Sequence, residues 1–269
     1  MDDWKEAILK ERPRLAPDSK FNFACHKRIS CFGQCCGNVN IFLTPYDVLR
    51  MKKAQGLSSE EFLEKYTLPL ILEEQQIPVA LLKMGDDKDK KCPFVSPEGC
   101  GIYEDRPWAC RMYPLGLASS QTQIDGEDFC FLVDDESLCQ GFKEDREWTV
   151  QEWLADQEVD TYNQQSKDYM ALTLHRFFQE GNKLEPAKAQ MFYQTCYNLD
   201  KFKRNLFESS FFDRFEVEEA HMEKLRTDDE ALLNFGLDWL RFAFFAENTM
   251  KVKGEVLEKK RDELGLITE

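Results

Sequence analysis

The chain carries the stretch CHKRISCFGQCCG at residues 25–37, where four cysteines fall within twelve positions. Five more follow at positions 92, 100, 110, 130 and 139, so nine of the ten cysteines precede residue 140. Thiolate is the soft metal ligand of proteins. Gly33 and Gly37 flank the cysteine pair and would let the backbone approach a bound metal closely. The clustering therefore predicts a metal or iron–sulfur site.

Composition and charge restrict the class of protein. The 269 residues are 42% hydrophobic and include 21 phenylalanines, enough for one large domain or two ordinary ones. A net charge of −15 repels phosphate backbones and anionic lipid surfaces, so we expect no nucleic-acid partner.

Neither the N-terminal residues nor the apolar runs indicate export or membrane insertion. Residues 1–6 lack the positive and apolar regions of a secretory signal, and runs such as 68–72 are too short to span a bilayer. We therefore expect a cytoplasmic protein. Because cytoplasmic thiols stay reduced, this location favours metal binding over disulfides.

Capping signals and periodicity predict a mostly α (α+β) fold. Thr44 with Pro45 begins one helix, and capping boxes at Ser58 and Thr149 begin two more. We predict a cysteine module at residues 1–145 and a helical region at 146–269 that packs on it. The predicted strands are 39–43, 78–84 and 129–133. The predicted helices are 45–54, 58–66, 150–157, 162–179, 186–197, 217–226, 229–247 and 251–264.

The number of cysteines exceeds the need of one site, because a tetrahedral zinc ion or a cubane cluster takes four thiolates. Two sites would use eight and leave one over. Side chains of the adjacent Cys35 and Cys36 point to opposite faces of an extended segment. One could serve each of two neighbouring clusters, or both could bind one larger cluster.

The spacings favour a cluster over a zinc finger, since only Cys31-x3-Cys35 has the short spacing of a zinc knuckle. We predict six metal ligands: Cys31, Cys35, Cys36, Cys92, Cys100 and Cys110. Three further cysteines, Cys25, Cys130 and Cys139, are added as cofactor-binding residues. His26 and the isolated Cys196 are interpreted as non-ligands.

A second motif, residues 103–114, surrounds Cys110. Pro107 would begin a short helix that ends before Pro114, which places Cys110 near free backbone N–H groups. Arg106 and Arg111 would offset the negative charge of the thiolates and donate hydrogen bonds to sulfur. Tyr103, Trp108 and Tyr113 would exclude water.

These residues resemble a known family. The cysteines at 25, 31, 35 and 36, followed by Cys92-Pro-Phe, Cys100-x-Ile-Tyr and Arg106-Pro-x-x-Cys-Arg-x-Tyr-Pro114, are similar to the CxxCxxCC or YkgJ-like proteins. Members are described as zinc- or iron-chelating and often as iron–sulfur oxidoreductases. The resemblance covers about residues 25–140, although the Cys25–Cys31 gap is longer than the family name implies. A flagellin lysine N-methylase is similar over the same motifs.

We therefore expect an iron–sulfur protein with one or two 4Fe-4S clusters, or one larger cluster, that acts in electron transfer or redox chemistry with a redox partner protein. The enzyme class stays open as an iron–sulfur oxidoreductase. One alternative is a structural zinc-binding protein. The other, which the resemblance implies, is a cluster-dependent enzyme similar to the lysine N-methylase.

Overall fold

The computed structural model describes residues 12–118, 129–133 and 139–263. The chain forms two compact units. The first comprises the described residues of Met1–Ala54, Tyr66–Leu68 and Leu81–Ser166, and the second those of Gln55–Lys65, Pro69–Ala80 and Lys167–Glu269. The predicted boundary between residues 145 and 146 stays a prediction.

The predicted fold class is confirmed: the protein is about 50% helical and 16% strand, with its short strands in the N-terminal part. The strands are β1 Lys20–Asn22, β2 Phe42–Leu43, β3 Thr67–Leu72, β4 Ile77–Leu82, β5 Val95–Ser96, β6 Gly99–Cys100, β7 Leu115–Ala118, β8 Phe129–Leu132 and β9 Glu147–Thr149. β1 pairs antiparallel with β9, β5 with β6 and β7 with β8, and the fourth sheet has the order β2-β4-β3.

Helices dominate the C-terminal part of the chain. Their bounds are α1 Pro45–Gln55, α2 Ser59–Tyr66, α3 Trp108–Met112, α4 Val150–Asp156, α5 Val159–Thr173, α6 Arg176–Gln179, α7 Pro186–Cys196, α8 Leu199–Phe207, α9 Phe211–Arg214, α10 Glu219–Thr227, α11 Asp229–Phe245 and α12 Gly254–Glu263. Short 3-10 turns occur at Gln34–Cys36, Tyr103–Asp105 and Gln140–Lys143.

Most predicted elements occur within a few residues of their expected bounds. Reciprocal hydrogen bonds confirm both capping boxes, between Ser58 and Glu61 and between Thr149 and Glu152. The predicted helix 162–179 is wrong in extent, because two helices occur there and the His175 ring accepts the Phe177 N–H at the start of the second. The strand predicted at 39–43 is only two residues long.

An aromatic core holds the first unit together. Phe21 and Trp148 face each other across the β1–β9 pair, and the Trp153 ring meets both edge-on. The indole N–H of Trp148 donates to the Phe23 carbonyl at 2.9 Å. Burial of such rings stabilises the fold by about 2–3 kcal/mol each. The core therefore holds β1, which precedes Cys25, and β9, which follows Cys139.

The second unit has a helical core. Gly236 on α11 lets that helix approach its neighbours closely, because a Cβ there would lie 2.6 Å from Cγ2 of Thr195. The Asn198 side chain caps α8, and the Asp228 carboxylate accepts two N–H groups at the start of α11. Phe202 stacks on Trp239 with ring centroids 5.9 Å apart. Propensity, capping and packing therefore agree in these helices.

None of the described helices is both long enough and apolar enough to cross a membrane.

Candidate metal centre

Four cysteines come together around Cys25, and we call them the Cys25 group. Its members are Cys25, Cys31, Cys35 and Cys139. Partial burial of the Cys25 thiol, followed by the nearby charges of the other three thiolates, raises the pKa of Cys25 to about 11. Burial raises the pKa of the Tyr113 phenol most, and the charges of Cys139, Cys35 and Cys31 raise it further. Each member is thus close enough for its charge to influence the same neighbourhood.

Backbone hydrogen bonds bring the distant Cys139 to the start of the cysteine stretch. The Ala24 N–H donates to the Gly141 carbonyl at 3.1 Å, and the Phe23 N–H donates to the Arg146 carbonyl at 2.9 Å. Only glycine fits at position 141, because a Cβ would lie 2.8 Å from the Ala24 carbonyl oxygen. This close approach places Cys139 beside a cysteine cluster more than a hundred residues earlier in the chain.

Two sulfurs of the Cys25 group accept hydrogen bonds from the protein. The Gln140 backbone N–H donates to Sγ of Cys31 at 3.2 Å. The phenol of Tyr113 forms a hydrogen bond with the side chain of Cys139, and its ring packs edge-on against Phe23. Hydrogen bonds to sulfur stabilise the thiolate form that a metal ion requires.

A second set of four cysteines surrounds Cys110, and we call it the Cys110 group. Its members are Cys36, Cys92, Cys100 and Cys110. Burial, followed by the charges of Cys92 and Cys100, raises the pKa of Cys110 to about 12. The pKa of Cys36 is raised first by its hydrogen bond with Cys35, then by burial and by the charge of Cys35, and also by the charges of Cys110 and Cys92. The four residues share one electrostatic environment, as do those of the Cys25 group.

Close backbone pairing joins the Cys36 and Cys92 segments. The Cys92 N–H donates to the Cys36 carbonyl at 2.7 Å, and Gly37 forms an isolated β-bridge with Lys91. A Cβ at residue 37 would lie 2.7 Å from the backbone oxygen of Asp89, so glycine is required there too. The two loops therefore approach each other only because residue 37 has no side chain.

The remaining two segments come from a hairpin and a short helix. Gly99, the first residue of β6, has a φ of 115° and so allows the tight turn that presents Cys100. Pro107 stands at the N-terminal end of α3, and Cys110 donates its N–H to the Pro107 carbonyl at 2.9 Å. The helix occurs where the Pro107 signal predicted it.

Backbone N–H groups point at the sulfurs of the Cys110 group. The N–H groups of Phe94 and Val95 oppose the rise that burial causes in the pKa of Cys92. The N–H of Ile102 does the same for Cys100. A cysteine sulfur that accepts hydrogen bonds from the N–H groups two or three residues later in the chain is stabilised as the thiolate, which is the form that binds metal.

The adjacent cysteines divide between the two groups. Cys35 belongs to the Cys25 group, whereas Cys36 belongs to the Cys110 group. A side-chain hydrogen bond joins the two residues and is the largest influence on both. It lowers the pKa of Cys35 to about 7 and raises that of Cys36. The pair lies in a 3-10 turn and not in the extended segment assumed from the sequence, so the two thiols contact each other where the two groups meet.

The two predicted arginines have different surroundings. Arg106 is 6% exposed, and its positive charge lowers the pKa of Cys110 and Cys100 against the effect of burial. Arg111 is 1% exposed and donates to the carbonyls of Glu104, Arg106 and Gln157. Arg106 is thus placed to offset thiolate charge. Arg111 braces the backbone that carries Cys110, and its predicted influence on the sulfurs stays a prediction.

Asp47 was not predicted from the sequence as part of this region. Burial raises its pKa to about 6, against the lowering effect of hydrogen bonds from Trp108 and Thr44. Its carboxylate accepts the Trp108 N–H at 2.8 Å at the start of α3, and its charge acts on Cys110. The sequence signal was the acidic residue three positions after Thr44, which indicates a helix cap and nothing about residue 108.

The other candidate residues have structural surroundings. Cys130 lies opposite Leu117 in the β7–β8 pair and packs against the aromatic core of the first unit; its role as a ligand stays a prediction. The His26 ring pairs with Glu144 at 2.9 Å. Cys196 is fully buried in the second unit, and burial raises its pKa well above the ordinary value.

The two groups are defined by shared electrostatics and hydrogen bonds. Within the described ranges, no three His, Cys, Asp or Glu side chains already have the arrangement of a metal-ion site. Eight thiols in two sets of four nevertheless match the donor type and number of tetrahedral zinc or of cubane clusters. The region is a thiol-rich centre of the metal-chelating class.

The family comparison agrees with this class. Residues 24–130 match the CxxCxxCC family, which is described as a "putative zinc- or iron-chelating domain". The resemblance stated for residues 25–140 is thereby confirmed over the matched range, and metal binding by its cysteines is supported. Cys139 lies beyond the matched residues. No curated protein and no solved structure matches the chain.

Proposed function

We propose that the protein is an iron–sulfur protein that holds two cubane-type clusters, one in the Cys25 group and one in the Cys110 group. The observation that carries the proposal is the division of eight thiols into two sets of four, with Cys35 and Cys36 in different sets. Four thiolates are the ligand set of a 4Fe-4S cluster. All six predicted metal ligands fall within these two groups, as do Cys25 and Cys139.

The proposed role is electron transfer, or redox chemistry within a larger reaction, with a redox partner protein. When bound, the clusters would supply one-electron chemistry. The division of a dipeptide between two sites keeps them near each other, which suits the passage of an electron. Hydrogen bonds to Cys31, Cys92 and Cys100 and the charge of Arg106 are the means by which this chain would adjust a reduction potential.

Two zinc ions are the second candidate, because each group also has the four thiols of a closed structural zinc site. Metal would then contribute to folding and not to redox chemistry. The family description includes zinc and iron alike. The N–H groups directed at the sulfurs of Cys92 and Cys100 would stabilise thiolates around either metal.

Anaerobic purification followed by metal and acid-labile sulfide analysis tests the proposal. We expect iron and sulfide in equal amounts and a brown colour that dithionite bleaches. A colourless protein that contains zinc without sulfide would contradict the iron–sulfur proposal and favour the second candidate. The methyl-transfer alternative stays a prediction, which S-adenosylmethionine binding would test separately.

A further inference from the structure

The two cysteine groups differ in their access to solvent. In the Cys25 group, Cys25 and Cys35 are exposed, Cys139 is partly buried and Cys31 is buried. The four members of the Cys110 group are all partly buried, and Asp47 and Arg106, which act on them, are 1% and 6% exposed. A chelating ligand from solution would therefore meet the thiolates of Cys25 and Cys35 before those of the Cys110 group.

The groups also differ in the charges around them. Four thiolates around a divalent metal ion leave the site negative. In the Cys110 group the buried guanidinium of Arg106 opposes this charge at Cys100 and Cys110. In the part of the chain that the structure describes, the charges that act on the thiol of Cys25 are those of the three other thiolates of its group.

The backbone that carries Cys110 is held more firmly than the stretch that carries Cys25. The Arg111 side chain ties α3 to three carbonyls, one of them 2.8 Å away at Gln157. The Asp47 carboxylate fixes the start of the same helix. Residues 26–34 instead form successive turns, each closed by a single hydrogen bond of 2.9–3.1 Å, whereas Cys36 beyond them is joined to Cys92 by a 2.7 Å backbone hydrogen bond. Segments with fewer buried contacts open locally at lower free energy.

We propose that the Cys25 group is the labile site of the pair, where metal is lost first to chelating ligands in solution: iron with release of the cluster's sulfide, or zinc alone. The Cys110 group keeps its metal as a permanent part of the first unit. This inference rests on the proposed binding of metal by both groups. It assigns different roles to sites that the sequence presents as equivalent sets of four cysteines.

Chelator-driven metal loss tests the inference on the full chain as isolated anaerobically. Bathophenanthroline disulfonate is used for iron, or EDTA if the metal is zinc. We expect two phases of similar amplitude with rates about tenfold or more apart, the ratio that about 1.4 kcal/mol of local opening free energy gives. Cys25→Ser should retain only the slow phase, and Cys100→Ser only the fast phase. Cys196→Ala, at the cysteine interpreted as a non-ligand, is the matched control and should retain both.

If the Cys100→Ser chain fails to fold, the wild type can be tested instead. It is alkylated with iodoacetamide during metal loss, and mass spectrometry measures the alkylation of each cysteine. In the wild type, the buried Cys31 should lose its protection with the first phase and the partly buried Cys100 with the second. That order is opposite to the order of their exposure, so it reports the site that has lost metal.

Three outcomes would overturn the inference. One is metal loss in a single phase, and another is the reverse assignment of the phases. In both cases the two-site metal proposal survives, because two sites' worth of metal is still released. The third is a protein that contains no metal at all, which would contradict the proposed function as well.

Discussion

The close approach at Gly141 allows a local test of how the Cys25 group is built. In Gly141→Ala, the new Cβ would lie 2.8 Å from both the Ala24 carbonyl oxygen and a ring carbon of Phe23. Relief of this contact requires a shift of roughly 0.6 Å. Phe23 is 3% exposed and cannot move outward without loss of core packing, so residues 139–141 must move. Such overpacking costs about 1–3 kcal/mol.

Thermal unfolding and metal analysis together measure the effect. We expect the midpoint to fall by about 2–12 °C, given about 2–4 °C per kcal/mol for a chain of this size. The metal content should fall by the share of the Cys25 group, because Cys139 and the 3.2 Å hydrogen bond to Cys31 move away together. Gly254→Ala is the control, with no heavy atom within 4 Å of its Cβ. An unchanged midpoint with full metal content would refute the reasoning.

Three further predictions concern other parts of the molecule. Gly37→Ala places a Cβ 2.7 Å from the Asp89 oxygen, so metal analysis should show loss from the Cys110 group; full retention would contradict this. Because burial raises the pKa of Asp47 from 3.8 to about 6, its contribution to the free energy of unfolding is complete below pH 3.8 and falls by about 3 kcal/mol as pH rises through 6. In denaturant unfolding, Asp47→Asn should not show this decrease. Parallel pH profiles for the variant and the wild type would contradict the prediction. Cys196→Ser buries a hydroxyl in the second unit at a cost of about 1–3 kcal/mol, and any change in metal content would argue against its structural role.

Local signals predicted much of the fold. The capping boxes at Ser58 and Thr149 and the proline at residue 107 act within one helical turn, so the sequence alone shows where those helices begin. The predicted helix 162–179 failed because its break depends on His175, whose ring accepts a backbone N–H and stacks on Phe245, some seventy residues later. Contacts at that separation leave no periodic signal.

The candidate site, like the fold, was predictable from local signals and not where it depends on long-range contacts. The count of cysteines indicated more ligands than one site needs, because ligand number is a local property. The expectation that Cys35 and Cys36 point to opposite faces assumed an extended segment and is wrong, because the two residues lie in a 3-10 turn and their side chains form a hydrogen bond with each other. The membership of each set was not predictable, since it depends on close backbone approaches at Gly37 and Gly141. The hydrogen bond between Asp47 and the start of α3 was also not predictable from the sequence, because its partner Trp108 lies 61 residues away.

The most direct test of the central claim is the metal content of Cys35→Ser and Cys36→Ser, purified anaerobically beside the wild type and a Cys35→Ser/Cys36→Ser chain. Each single variant should lose the metal of one site, and the double variant should lose both, while circular dichroism reports whether the chain remains folded. If the adjacent cysteines serve different sites, the two losses add. A folded single variant that retains the full wild-type metal content would contradict the account.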